Sequence, residues 1–98
     1  MKLVRDKIPE IIKNSGKKPI THSVHGDLYV HMLLRKVSEE LEEFMQEPSA
    51  EEAGDILEVL HCLFFSYNIT MEDAKAAALD KKSLRGGFEK KIVLVEVK

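Results

Sequence analysis

Apolar positions recur at the three- and four-residue spacing of an amphipathic helix along two long stretches of the chain. The first predicted helix runs from about Asp27 to Gln46, and the second runs from about Ala50 to Ser66. Only a short break around Pro48 separates them, so we expect the two helices to lie antiparallel and in contact. The apolar stripe of the first helix consists of Val30, Leu33, Leu34, Val37, Leu41, Phe44 and Met45.

Shorter elements flank this hairpin. A short helix is predicted from Asp6 to about Asn14, and a third helical stretch, capped by Thr70, reaches about Lys82. Residues 20–24 and 88–97 are rich enough in β-branched and apolar side chains to predict a small β appendage in which the two segments pair. The predicted fold class is therefore mostly α, as a single domain over residues 1–98.

The second long helix is apolar around most of its circumference. The residues concerned are Ile56, Leu57, Val59, Leu60, Leu63, Phe64 and Phe65. A two-helix hairpin with few neighbours in its own chain cannot cover so much apolar surface. We therefore expect burial against another copy of the chain, in a homodimer at least.

Charge is distributed unevenly along the chain. Its net charge of -2 argues against a general nucleic-acid binder, which would be strongly basic. Six of the fifteen basic residues lie in the first eighteen positions and seven lie from Lys75 onward, whereas the middle is acidic. The single cysteine, Cys62, suits a reducing compartment. Neither a signal peptide nor a membrane-length apolar run is recognisable, so a soluble, cytoplasmic protein is expected.

Four carboxylates should converge near the hairpin bend. Glu40 and Glu43 precede the bend by about one or two turns, and Glu52 and Asp55 follow it at similar distances. No Lys or Arg occurs from Val37 to Ala74 to offset their charge. A divalent cation would relieve the repulsion between acids held this closely. The sequence therefore predicts a metal site on the hairpin.

Each of these acids also has an ordinary explanation. The glutamates between Glu39 and Glu43 could form a solvated helix face. Ser49 and Glu52 match a capping box, and Asp55 would interact favourably with the helix dipole. A surface helix would, however, normally intersperse Lys at i,i+4, so their coincidence favours a metal site. Oxygen-only ligands suit Mg²⁺ or Mn²⁺, and the spacing of the four histidines fits no zinc pattern.

Basic residues near both ends have two interpretations. Arg5, Lys7, Lys82 and Arg85 could be solubilising charge at the ends of the fold. Guanidinium and ammonium groups beside the glycine turn at 86–87 would equally hold phosphate oxygens. Composition alone leaves both readings open.

Two acidic motifs resemble those of a known enzyme superfamily. Glu39-Glu40-Leu41-Glu42-Glu43, followed by Glu52-Ala53-Gly54-Asp55, is similar to the EExxE…ExxD signature of the all-α nucleoside triphosphate pyrophosphohydrolases. That superfamily includes MazG, the dimeric dUTPases and phosphoribosyl-ATP pyrophosphohydrolase. The opening segment Lys2–Pro9, with Lys36 and the later Arg85–Phe88, resembles a small MazG-like subgroup with a presumed house-cleaning role.

The resemblance implies roles for the acids. Glu40, Glu43, Glu52 and Asp55 would bind Mg²⁺, and Glu39 would be a catalytic residue that adds a ligand or orients the attacking water. The superfamily also implies dimers or tetramers with a four-helix core formed on oligomerisation.

The resemblance implies a reaction as well. A nucleoside triphosphate would be hydrolysed between its α- and β-phosphates, giving a nucleoside monophosphate and pyrophosphate. Basic side chains would steady the leaving pyrophosphate. Lys36 is predicted to act in catalysis, and Arg5, Lys7, Lys82 and Arg85 are predicted to contact phosphate. Tyr29 and Phe88 are the aromatic candidates for contact with the base.

Two other functions remain open from the sequence. One is phosphoribosyl-ATP pyrophosphohydrolase of histidine biosynthesis, which shares the implied fold, metal and cleaved bond. The other is a non-catalytic helical interaction module whose acidic hairpin docks a basic partner, and it predicts no dependence on Mg²⁺.

Overall fold

Four α-helices make up the regular structure of the chain. The computed structural model describes all 98 residues. In chain order the helices are α1 (Ile8–Asn14), α2 (Gly26–Gln46), α3 (Ala50–Phe65) and α4 (Met71–Arg85). None of them combines the length and the apolar composition that a bilayer crossing requires. The predicted α-helical class and the hairpin of the two long helices are confirmed.

Hydrogen bonds at the bend between α2 and α3 stabilise the hairpin. Helix α2 closes with a hydrogen bond from the Glu47 amide to the Glu43 carbonyl, 3.0 Å long. Ser49 then takes an extended conformation, and its hydroxyl accepts a hydrogen bond from the Glu52 amide at 3.1 Å. This side-chain cap satisfies one of the free amides at the start of α3. Since only three residues separate the helices, α3 must return along α2.

Helix α1 begins later than the sequence predicts. Its first residue is Ile8, Pro9 lies in the first turn, and Lys7 occupies the N-cap position without a side-chain cap bond. Asp6, where the sequence predicts the start of this helix, lies instead in the turn before it. The helix stops at the predicted place, where Gly16 adopts a positive φ of 89° that favours glycine.

Helix α4 has the capping box that its sequence predicts. The Thr70 hydroxyl accepts from the Asp73 amide at 3.0 Å, and the Asp73 carboxylate accepts from the Thr70 amide at 3.1 Å. The helix continues to Arg85, beyond the predicted end at Lys82. It stops at Gly86, whose φ is 85°.

The predicted β appendage is absent. Residues 20–24 and 88–97 contain no strand, and no backbone hydrogen bond joins the two segments. A two-stranded ribbon needs an apolar face covered by the rest of the fold to be stable. The side chains from Ile92 to Val95 are instead 77–90% exposed, so nothing in the chain covers such a ribbon. Composition indicated β propensity correctly, but the partner that would make it a strand is missing.

The chain leaves an unusually large surface exposed. Its accessible area is 9004 Å², against about 5,700 Å² for a compact monomer of 11.2 kDa. The radius of gyration is 17.9 Å, whereas a compact domain of this length has about 12.6 Å. Only Leu33 and Glu40 are buried. The apolar faces of the helices therefore have few partners within the chain.

Removal of the Ser49 cap should weaken the hairpin. We expect Ser49→Ala to lower the free energy of unfolding by about 1 kcal/mol, because the Glu52 amide loses its acceptor. Urea unfolding followed by circular dichroism measures the change. Ser23→Ala is the matched control, since Ser23 is exposed and forms no side-chain hydrogen bond. Equal effects of the two substitutions would contradict the assigned capping role.

Candidate metal centre

Three carboxylates meet where α2 and α3 face each other near the bend. Glu40 comes from α2, and Glu52 and Asp55 come from α3. One oxygen of each lies within 4.8 Å of the corresponding oxygens of the other two. We call these three residues the acidic cluster. It contains neither histidine nor cysteine, so its donor set suits a hard divalent cation such as Mg²⁺ or Mn²⁺.

Two oxygens of the acidic cluster are buried without a hydrogen-bond partner. They are Oε2 of Glu40 and Oε2 of Glu52. The Glu40 side chain is only 8% exposed, although glutamate is seldom buried unless it is paired. A buried polar atom without a partner destabilises a fold, and a charged one does so more strongly. These two oxygens therefore have the capacity to bind a proton donor or a cation.

The electrostatic environment favours the neutral form of two cluster members. Burial is the largest cause that raises the pKa of Glu40, the negative charge of Glu43 adds to it, and the ammonium of Lys36 opposes it. Burial also raises the pKa of Glu52, and the charges of Asp55 and Glu40 contribute further. Each carboxylate thus makes ionisation of its neighbours less favourable. A bound cation would reverse that effect.

Two basic side chains contact the acidic cluster. Arg5 lies in the N-terminal arm, residues 1–7, and its Nη2 donates to Oδ1 of Asp55 at 2.6 Å. Lys36 lies on α2 with its Nζ 3.5 Å from Oε1 of Glu40 and 3.8 Å from Oε2 of Glu39. Positive charge therefore reaches the cluster from two separate elements. The sequence predicts phosphate contact for Arg5 and catalysis for Lys36, but it does not predict their ion pairs with the acids.

Glu39 and Glu43 lie beside the cluster rather than within it. Both are exposed on α2. Glu43 is near enough to Glu40 for its negative charge to raise the pKa of Glu40. Glu39 faces Lys36 and retains 44% of its side-chain exposure. The fourth predicted ligand and the predicted catalytic glutamate thus border the three converging oxygens.

The remaining basic candidates make no bond to the cluster within the chain. Lys7 is exposed at the N-cap of α1, and Arg85 is exposed as the last residue of α4. Lys82 also lies on α4, where its Nζ is 3.4 Å from Oε1 of Glu89. Phe88, considered above for base contact, is 97% exposed. Within one chain, only Arg5 and Lys36 of the predicted basic residues reach the acids.

A groove that sequence reasoning missed extends from the cluster away from the bend. It has a volume of about 210 Å³. The N-terminal arm, α2 and α3 contribute its lining residues, which are Leu3, Val4, Arg5, Asp6, Tyr29, Leu33, Lys36, Glu58, Val59 and Cys62. Tyr29, Leu33 and Lys36 recur at helical spacing on the same line as Glu40, and this pattern could have indicated that a surface continues from the acids.

Cys62, Glu58 and Tyr29 interact at this groove. The Cys62 thiol donates to Oε2 of Glu58, with 3.5 Å between sulfur and oxygen. Burial raises the pKa of the Cys62 thiol, and the nearby Glu58 carboxylate raises it further. Burial likewise raises the pKa of the Tyr29 hydroxyl. Both groups therefore stay protonated at neutral pH, and the thiol is not activated for nucleophilic chemistry.

Comparison with known proteins gives no relative for this chain. No family model matches it. No curated protein and no solved structure matches it either.

Neutralising Glu40 should stabilise the metal-free protein. We expect Glu40→Gln to raise the free energy of unfolding near neutral pH by more than the roughly 0.5 kcal/mol typical of surface substitutions. The reason is that burial and the Glu43 charge outweigh the attraction of Lys36. Urea unfolding with EDTA present measures this difference. Glu42→Gln, on the exposed side of α2, is the matched control and should show little change.

The stabilisation by Glu40→Gln should depend on pH with a defined sign. The folded-state pKa of Glu40 lies above 4.5, so the folded protein binds more protons than the unfolded chain as pH rises past that value. The Glu40 contribution to stability therefore falls with increasing pH through the folded pKa. The advantage of the variant should shrink as pH is lowered toward 4.5. An advantage that stays constant over this window would contradict the assignment.

Proposed function

We propose that this protein is a Mg²⁺-dependent nucleoside triphosphate pyrophosphohydrolase with a house-cleaning role. It would cleave the bond between the α- and β-phosphates and release a nucleoside monophosphate and pyrophosphate. One observation carries the proposal: three carboxylates converge with two buried, unpaired oxygens, and two basic side chains contact them. The acidic motifs described above support the same reaction class.

The acidic cluster fits the cation that this reaction requires. Glu40, Glu52 and Asp55 would hold it, and Glu43 beside Glu40 supplies a fourth carboxylate within the same region. A bound Mg²⁺ would stabilise negative charge on the phosphates and lower the pKa of a nearby water. Mn²⁺ has similar ligand preferences and is expected to substitute.

The protein's own residues would position the phosphates and the water. Arg5 presents a planar guanidinium that suits two phosphate oxygens, whereas Lys36 offers a compact point charge. Glu39, exposed beside Lys36, would accept a proton from the attacking water. That water adds to the α-phosphorus, the bond to the bridging oxygen breaks, and pyrophosphate leaves with the bridging electrons. The fixed charges of Arg5 and Lys36 stabilise the departing oxyanion.

A homo-oligomer completes the proposal. The exposed area exceeds that of a compact monomer by about 3,300 Å², enough to supply a large interface. Lys7, Lys82 and Arg85 do not bond to the acidic cluster of their own chain. Assembly around a four-helix core would bury apolar faces of α2 and α3 and could bring these basic groups to a neighbouring cluster.

Sedimentation measures the assembly directly. We expect a dimer of twice 11.2 kDa or a tetramer, because the isolated chain buries too little apolar surface for a stable core. Analytical ultracentrifugation over a range of protein concentrations gives the mass. A folded monomer at all concentrations would contradict this part of the proposal.

Pyrophosphate release tests the proposed reaction. We expect release from at least one nucleoside triphosphate with Mg²⁺ and none with EDTA. Glu40→Gln and Asp55→Asn should each reduce turnover by roughly 10²-fold or more, because each removes a charge that the cation requires. Glu42→Gln should retain parental activity, since its side chain is exposed outside the cluster.

The substrate panel separates the remaining functions. Phosphoribosyl-ATP as the preferred substrate would favour a role in histidine biosynthesis over house-cleaning. If no triphosphate and no phosphoribosyl-ATP is cleaved, the enzyme proposal fails and an acidic docking module takes its place. Full activity in Asp55→Asn would show that the site is wrongly assigned.

A further inference from the structure

Two lining residues of the groove also contact the acidic cluster. Arg5 and Lys36 line the groove, and they also bond to Asp55 and Glu40, respectively. The groove and the acidic cluster therefore adjoin at these two basic side chains. A ligand whose phosphates lie at the cluster would extend its other part into the groove.

The size and walls of the groove suit one flat ring system. Its volume of about 210 Å³ is below the ~300–1,000 Å³ typical of sites that enclose a drug-sized ligand. Apolar side chains of Leu3, Val4, Leu33 and Val59 line it. Such walls favour a ring that is stripped of water on its faces and needs polar partners only along its edge.

Among the polar groups that line the groove, Glu58 is an exposed carboxylate acceptor. Glu58 offers two carboxylate oxygens, and its only hydrogen bond within the chain comes from the weak thiol donor of Cys62. Glu58 and Cys62 lie about 4.5 and 10 Å beyond Asp55 along the axis of α3. Asp6 adds a second negative group that acts on Tyr29 and Cys62. This end therefore favours a group that presents N–H donors.

We propose that the groove binds the base of the nucleotide and that Glu58 makes it selective for guanine. The inference rests on the proposed function, because it takes the phosphates to lie at the acidic cluster. Guanine nucleotides are then the substrate class, and Glu58 is the residue that determines specificity.

Guanine matches the Glu58 carboxylate better than the other purines do. Its N1–H and exocyclic N2–H₂ are adjacent donors that both carboxylate oxygens accept at once, in charge-assisted bonds. Hypoxanthine retains only the N1–H donor, and the edge of adenine presents its N1 lone pair toward the carboxylate. Because Glu58 is exposed, an analogue without these donors loses the charge-assisted bonds but leaves no buried carboxylate unpaired, so the number of donors sets the preference. The expected order of preference is GTP, then ITP, then ATP.

Steady-state kinetics of Glu58→Gln test the inference. We expect the substitution to lower kcat/KM for GTP by about tenfold or more, the loss of one good hydrogen bond, and to change kcat/KM for ATP by less than about threefold. The parent and the exposed control Glu42→Gln should keep the GTP preference. Equal kcat/KM values for the three purine triphosphates in the parent, or an unchanged preference in Glu58→Gln, would overturn the inference while leaving the proposed reaction intact.

Binding of GMP in the absence of metal tests the base site independently of hydrolysis. Titration of the protein with GMP, followed by NMR, should shift the amide signals of Tyr29 and Cys62. We expect the Kd for GMP to be at least about tenfold below the Kd for IMP or AMP. The Glu58→Gln variant should lose this difference in affinity. If the parent hydrolyses no triphosphate but shows this binding, the proposed reaction fails and the base site stands. Shifts that avoid the groove, or equal affinity for the three monophosphates, would overturn the base site.

Discussion

Repulsion among closely packed carboxylates is the constraint on which the rest of this structure depends. Glu40, Glu52 and Asp55 are brought together because the bend between α2 and α3 is too short to let the helices separate. The apolar stripe around Leu33 supplies the packing that holds them there. Arg5 and Lys36 offset part of the charge, yet two oxygens remain buried and unpaired. The fold thus tolerates a local electrostatic cost at the one place where chemistry is proposed.

The rest of the chain can be understood from what this hairpin lacks. The two long helices share one contact surface, and this surface cannot bury the apolar circumference of α3. Helix α4 packs against α3, but large apolar residues on it and in the segment after it, such as Leu84 and Ile92, stay exposed. The N-terminal arm lies against α2 and α3 and forms the groove together with them. The apolar faces of the helices therefore stay uncovered within the chain, and two oxygens of the acidic cluster stay without a hydrogen-bond partner.

Local signals in the sequence determined most of what could be predicted. The periodic stripe, Pro48 and the Thr70 cap predict helices whose ends agree with the structure within a few residues, because each signal acts over one or two turns. The convergence of Glu40, Glu52 and Asp55 follows from phase and loop length alone. The strand prediction failed because pairing is non-local: residues 92–95 have β propensity but no partner. The contact of Arg5 with Asp55 was beyond prediction for a related reason, since it joins positions 50 residues apart through an irregular arm.

The bond between Arg5 and Asp55 makes the N-terminal arm a competitor for whatever the cluster binds. A cation drawn to Asp55 weakens the attraction that holds the guanidinium at 2.6 Å, and an arm held tightly reduces the charge available to the cation. Thermodynamic linkage requires the two effects to be equal in free energy. If the cluster binds a cation, the attachment of the arm would raise the cation concentration needed for half occupancy. Displacement of Arg5 by that cation would free its guanidinium for an incoming anion.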